Sequence, residues 1–198
     1  MQAFPADLFD PPQPALPAGF RYRPDLISKG EEQRLAEYIA GLPLKEFEFQ
    51  GFLGKRRILS FGWRYDFNGG GLQKTEDMPP FLMPVREQAA AFAAMPPERL
   101  QQVLLTEYKP GVQIGWHKDR SVFGEVIGIS LLAPCNFRLR RKVSANKWER
   151  ISLSAQPRSA YLLSGVSRTQ WEHSIPPLDQ LRYSVTFRNL RGKAVARS

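Results

Sequence analysis

From Val103 onward the chain alternates short β-branched and apolar runs with turn residues, about one run every eight to twelve residues. The runs are Val103–Tyr108, Val126–Leu132, Asn136–Lys142, Lys147–Leu153, Ala160–Ser164 and Arg182–Leu190. Pro110-Gly111, Ala133-Pro134, Ser144-Ala145-Asn146, Gln156-Pro157 and Pro176-Pro177 separate them. Each break supplies either a fixed φ or a residue tolerant of tight turns, so pairing stops there. This rhythm predicts an antiparallel sandwich or barrel and excludes a βαβ fold.

The preceding residues read differently. Pro5, Pro11, Pro12, Pro14 and Pro17 lack amide donors, which makes residues 1–19 an arm draped on the surface or disordered. Ser28 is a good N-cap, Glu31 and Glu32 suit a first turn, and Leu35, Ile39 and Leu42 recur at helical spacing until Gly41-Leu42-Pro43 stops the helix. Glu46 to Phe67 is β-like, interrupted by Gly51 and Gly54. Asn68-Gly69-Gly70-Gly71 opens a long loop that reaches Pro79-Pro80. A second helix is expected over Pro84–Ala94 and a short third over Pro97–Gln102. The expected organisation is one structural domain, mainly β within an α+β class. It comprises an arm (1–19), an extension with helices and hairpins (20–102) and a β core (103–191), and 198 residues suffice for one sizeable core.

Charge and cysteine usage narrow the setting. With 28 Lys+Arg against 19 Asp+Glu the net charge is +9, which permits a polyanionic partner without requiring one. The single cysteine, Cys135, excludes an internal disulfide and a cysteine-based zinc site, and a reducing cytoplasmic location is the expectation. The N-terminal segment has no basic region followed by an apolar run, so it reads as no signal peptide. No apolar stretch is long enough to span a bilayer.

The two histidines carry the chemistry. His117 and Asp119 stand at i and i+2, which on an extended segment places an imidazole and a carboxylate on one side. With His173 they would make a 2-His-1-carboxylate set that leaves the opposite metal positions open, as Fe(II) oxygen chemistry requires. The plainer alternative is a pair of hydrogen-bonded core histidines. In Arg182-Tyr183-Ser184-Val185-Thr186-Phe187-Arg188, period-two alternation puts both arginines on one face and Tyr183, Val185 and Phe187 on the other. Buried, these guanidinium groups need anions, and a planar fork suits a carboxylate. On an edge strand they would simply lie in water.

Together, His117-x-Asp119, the distal His173 and Arg182-Tyr-Ser-Val-Thr-Phe-Arg188 resemble the signature of the AlkB family of Fe(II)/2-oxoglutarate dioxygenases. Leu104-Leu105-Thr106-Glu107-Tyr108-Lys109-Pro110-Gly111 is similar to the strand and turn that lead into that family's metal site, and Phe137–Lys142 to a following strand. The resemblance implies a double-stranded β-helix (jelly-roll) core with flanking N-terminal helices and a monomer. It implies His117, Asp119 and His173 as iron ligands, and Arg182 with the Tyr108 hydroxyl on the distal carboxylate of 2-oxoglutarate. Arg188 would lie nearer the metal. Thr106 and Ser184 stand where the family has asparagines, which shortens their reach to the co-substrate.

The activity so implied uses O2 and 2-oxoglutarate, releases succinate and carbon dioxide, and removes N-alkyl groups from bases of DNA or RNA. A base in a duplex must be flipped out or met on a single strand. Trp63, Tyr65 and Phe67, at alternate positions in the segment resembling a nucleotide-recognition region, are candidates for stacking on it, or else core. Arg57 and Arg140, from the basic runs Lys55–Arg57 and Arg138–Lys142, are candidates for phosphate contacts. Two alternatives stay open: the same oxidation of a protein, lipid or small molecule, and a non-catalytic basic barrel that binds nucleic acid.

Overall fold

A computed structural model describes residues 16–49 and 52–191. The proline-rich arm up to residue 15, Gly51 and the basic residues after Arg191 lie outside the described residues.

In chain order the elements are Phe20–Arg23 (β1), Lys29–Ala40 (α1), Lys45–Phe49 (β2), Phe52–Phe61 (β3), Trp63–Asp66 (β4), Gly71–Lys74 (β5), Met83–Ala93 (α2) and Gln102–Tyr108 (β6). Then follow Ile114–His117 (β7), Phe123–Leu131 (β8), Cys135–Ser144 (β9), Lys147–Ala155 (β10), Ala160–Leu163 (β11), Gly165–Thr169 (α3), Glu172–Ile175 (β12) and Arg182–Leu190 (β13). A seven-stranded sheet runs β1-β11-β8-β13-β6-β3-β2, a four-stranded sheet β10-β9-β12-β7, and β4 pairs with β5 alone. All the pairs are antiparallel, and the two large sheets form the jelly roll.

Alternation along the seven-stranded sheet divides its faces. Val103 and Leu105, Ile127, Ile129 and Leu131, and Tyr183, Val185 and Phe187 turn one way and bury against Leu35 and Ile39 of α1 and Val85, Ala89 and Ala90 of α2. Fully burying each such aliphatic side chain contributes about 1.5–3 kcal/mol. α1 is placed by a capping box: Ser28 Oγ accepts from the Glu31 amide, and the Glu31 carboxylate accepts from the Ser28 amide at 2.7 Å. The opposite face, carrying Gln102, Leu104, Thr106, Tyr108, Ser184, Thr186 and Arg188, looks toward the four-stranded sheet and lines a cavity of about 540 Å³. Phe137, Leu139, Ile151 and Trp171 close that side together with Phe20, Val126, Tyr161 and Leu163. Gly128 belongs to this inner face for a steric reason. A Cβ there would lie 2.2 Å from Cζ of Tyr161, so only glycine lets that ring cross the strand.

The strand rhythm after Val103 matches the structure, with two additions, β7 and β12, which carry the two histidines. The expected loop from Asn68 to Pro80 contains β5, and the helix expected at Pro97–Gln102 is a single 3-10 turn, Pro97–Arg99. β13 is no edge strand: it lies between β8 and β6, and both its arginines are buried. No helix among the described residues is long and apolar enough to cross a membrane.

Candidate active site

β7 and β12 pair so that His117 and His173 stand directly opposite each other, their ring centroids 4.2 Å apart. Asp119, two residues past the end of β7, brings Oδ2 to 3.6 Å from His173 Nε2. One potential ligand atom from each of the three residues lies within 4.8 Å of the others. His117 Nδ1 is 2.8 Å from the Gly115 carbonyl, so Nδ1–H donates there and Nε2 keeps its lone pair. Burial, reinforced by the neighbouring His117, lowers His173 to about 3 despite Asp119, and burial likewise lowers His117. Burial works to raise the Asp119 carboxyl. Arg188, His173 and His117 outweigh it and hold Asp119 well below the usual carboxylate range. The arrangement therefore offers two neutral imidazoles and one carboxylate, a donor set that fits Fe(II) with positions to spare. Arg188 Nη2 lies 2.5 Å from Asp119 Oδ1, which fixes the carboxylate's orientation from the side.

A second charged group lies deeper. Arg182 is 0 % exposed, and its Nε and Nη2 donate to Ser130 Oγ at 3.2 and 2.7 Å. Nη1 is buried with no partner, and the guanidinium carbon sits 5.2 Å from the Tyr108 ring centre. A buried cation with a free N–H fits an incoming carboxylate, because the unmet donor is costly until one arrives. Thr106 and Ser184 face each other across β6 and β13 on the same wall, and Ser184 Oγ lies 3.2 Å from Thr186 Oγ1.

The mouth of the cavity is aromatic and cationic. Tyr65 and Phe67 pack edge to face at 5.1 Å, Phe47 meets Phe67 at 5.3 Å, and the Arg120 guanidinium lies 4.7 Å from both the Tyr65 and Phe67 ring centres. Of the residues singled out in the sequence, His117, Asp119, His173, Tyr108, Arg188, Tyr65 and Phe67 line the cavity, and Arg182 lies buried beside Tyr108. Three do not reach it. Trp63 begins the two-stranded ribbon, paired with Lys74, and is not among the residues that line the cavity, whereas Tyr65 is. Arg57 turns to the opposite face of β3 and forms a bidentate pair with Glu107, both bonds 2.7 Å. Arg140 faces outward from β9, paired with Glu172 at 2.6 Å and stacked between Trp116 and Trp148 at 4.5 and 4.4 Å. Sequence reasoning took Arg57 rather than the cavity-lining Arg56 from the run Lys55–Arg57, and missed Arg120, Phe47 and the Gly115 carbonyl. Arg120 adjoins Asp119 and was there to be found.

The sequence model of the 2OG-Fe(II) oxygenase superfamily matches residues 53–188. The Alkylated DNA repair protein ALKBH8 homolog of Arabidopsis thaliana is 28 % identical over 194 residues, 85 % of this chain and 54 % of that protein. The tRNA (carboxymethyluridine(34)-5-O)-methyltransferase ALKBH8 of Mus musculus is 25 % identical over 182 residues, 88 % of this chain and 27 % of that protein. The chain thus spans about half or less of these relatives' length. The solved structure of OsALKBH1 superposes with a TM-score of 0.69 at 15 % identity, covering 90 % of this chain and all of that one. A Pseudomonas putida prolyl-4-hydroxylase superposes at 0.61 and 14 %, covering 87 % and 93 %. At these identities the superpositions show a shared fold.

Proposed function

Because the chain belongs to the 2OG-Fe(II) oxygenase superfamily, and so is an oxygenase that uses Fe(II), 2-oxoglutarate and O2, we propose that it removes N-alkyl groups from bases of DNA or RNA. When bound, the metal and co-substrate supply oxidation of a C–H bond on the alkyl carbon, with succinate and carbon dioxide as co-products. His117 and His173, each through Nε2, and Asp119 through a carboxylate oxygen would hold the metal. The Gly115 carbonyl fixes the tautomer of His117, and Arg188 keeps Asp119 ionised and aligned. Arg182, through Nη1, and the Tyr108 hydroxyl would take the distal carboxylate and orient the co-substrate along the β13 wall. The apolar lining from Val126, Phe137 and Ile175 excludes water from that end.

The observation that carries the substrate assignment is the aromatic cluster: Tyr65, Phe67 and Arg120 pack together and line the same cavity as the proposed metal ligands. A planar, electron-poor alkylated base suits such a surface, where stacking contributes about 1–3 kcal/mol per base. The similarity to an alkylated DNA repair homologue and the net charge of +9 support the same reading. Purified protein with Fe(II), 2-oxoglutarate and N-methylated single-stranded DNA and RNA oligonucleotides is expected to yield demethylated product by mass spectrometry. Turnover of 2-oxoglutarate with no loss of methyl mass would reject nucleic acid and move the substrate to a protein, lipid or small molecule.

A further inference from the structure

Three inner-face residues form one row across the seven-stranded sheet. Arg57 pairs with Glu107, which sets Arg56 beside Tyr108, and Tyr108 pairs with Arg182. The two guanidinium groups of this row lean apart. Arg182 leans toward β8 and donates to Ser130. Arg56 leans toward β2, where its guanidinium carbon lies 3.7 Å from the Phe47 ring centre. The Tyr108 ring stands between them.

Arg56 lines the cavity, and no carboxylate among the described residues pairs with it. Burial lowers its pKa, Tyr108 opposes that in part, and the charge of Arg188 adds a smaller lowering. A partly desolvated cation that feels another cation and no anion is an incomplete site. The co-substrate does not complete it. 2-Oxoglutarate has two carboxylates, one suited to the metal and Arg188 end and one to Arg182, so a third anion is needed. The Phe47 ring under Arg56 continues through Phe67 to Tyr65 and Arg120, which joins the cation to the stacking surface at the mouth.

We propose that Arg56 is an oxyanion subsite for the substrate, taking a phosphate or carboxylate borne by the molecule whose planar group stacks under Tyr65 and Phe67. The inference rests on the nucleobase reading only for the identity of that planar group. A guanidinium fork matches either oxyanion in a bidentate manner, and the π contact with Phe47 leaves its edge N–H groups free for that purpose.

Paramagnetic relaxation tests the subsite without any prime substrate. Protein loaded with Mn(II) and N-oxalylglycine, an unreactive stand-in for the co-substrate, is titrated with inorganic phosphate (31P relaxation) and separately with acetate (methyl-proton relaxation). Wild type is expected to show saturable enhancement with at least one of the two anions, and the stronger response identifies phosphate or carboxylate as the natural group. Arg56→Gln is expected to weaken that binding about tenfold and Arg56→Lys to restore part of it. Relaxation in Arg56→Gln equal to wild type would overturn the proposal, as would no saturable enhancement in wild type. A tenfold rise in the KM for 2-oxoglutarate in Arg56→Gln would also overturn it, by assigning Arg56 to the co-substrate. None of these outcomes depends on demethylation, so failure of the nucleobase reading is seen separately.

Discussion

Replacing Arg182 by methionine separates what the co-substrate needs from what the fold needs. The side chain is fully buried, its hydrogen bonds end on one hydroxyl, Ser130 Oγ, and Nη1 has no partner. A hydrogen bond involving a charged group contributes about 1.5–3 kcal/mol, and here two N–H groups share a single acceptor. Burying an unpaired cation costs several kcal/mol, so an apolar replacement of similar length should stabilise the ligand-free protein by about 1–3 kcal/mol. For a chain of this size that corresponds to a Tm higher by about 2–12 °C. Co-substrate reverses the order. At a hundred times its Kd a ligand stabilises the native state by about 2.7 kcal/mol, and wild type is expected to gain it while Arg182→Met gains almost nothing. Scanning calorimetry with Mn(II), with and without 2-oxoglutarate, reads both effects. A variant less stable than wild type without ligand, yet showing the full ligand-induced rise, would refute the assignment and make Arg182 an internal strut.

Two other perturbations address the metal and the acid sensitivity of the sheet. Asp119→Asn removes both a charged ligand and the anion that holds Arg188. Mn(II) affinity by calorimetry should fall more than the 10- to 100-fold, roughly, that loss of a supporting contact costs, and an unchanged affinity would exclude the residue as a ligand. The Arg57 hydrogen bond holds the Glu107 carboxyl below its ordinary value. A lowered folded-state pKa contributes stability that is present above the unfolded value and is lost as pH falls through the folded one. Arg57→Met should therefore be less stable than wild type at neutral pH, with the gap closing in acid below that folded value. A gap that stays constant with pH in denaturant titrations would show that the pair is not its source.

How much of this was legible in the sequence depended on register. The β13 pattern was readable because Arg182 to Arg188 alternates without a break, and a central strand keeps strict alternation when each face meets a different layer. The same counting could not choose between Arg56 and Arg57. In a run of three cations only the pairing with β6 decides which points inward, and a slip of one residue exchanges them. β7 and β12 were missed because each has four residues and meets no turn dipeptide at both ends. The ligand spacing was nonetheless sound, since His117 closes one of these strands and Asp119 follows it. β5 was hidden by Gly69, Gly70 and Gly71, which read as a flexible loop while in fact Gly69 and Gly70 lie in the turn of a hairpin and Gly71 opens its second strand, paired with Asp66.

β13 is the last strand of the described residues, yet its place in the sheet is between β6 and β8, formed long before it. During synthesis those two strands wait with open hydrogen-bonding edges until residues 182–190 leave the ribosome, and pairing over such separations is slow. The segment that closes the sheet also delivers Arg182 and Arg188. A nascent chain arrested before it would expose two unpaired edges, the surface on which chains associate. It would also lack both guanidinium groups. On the co-substrate roles proposed for Arg182 and Arg188, closing this sheet and completing that site are a single step, and a chain halted short of residues 182–190 offers a chaperone or protease its edges and offers 2-oxoglutarate neither guanidinium group.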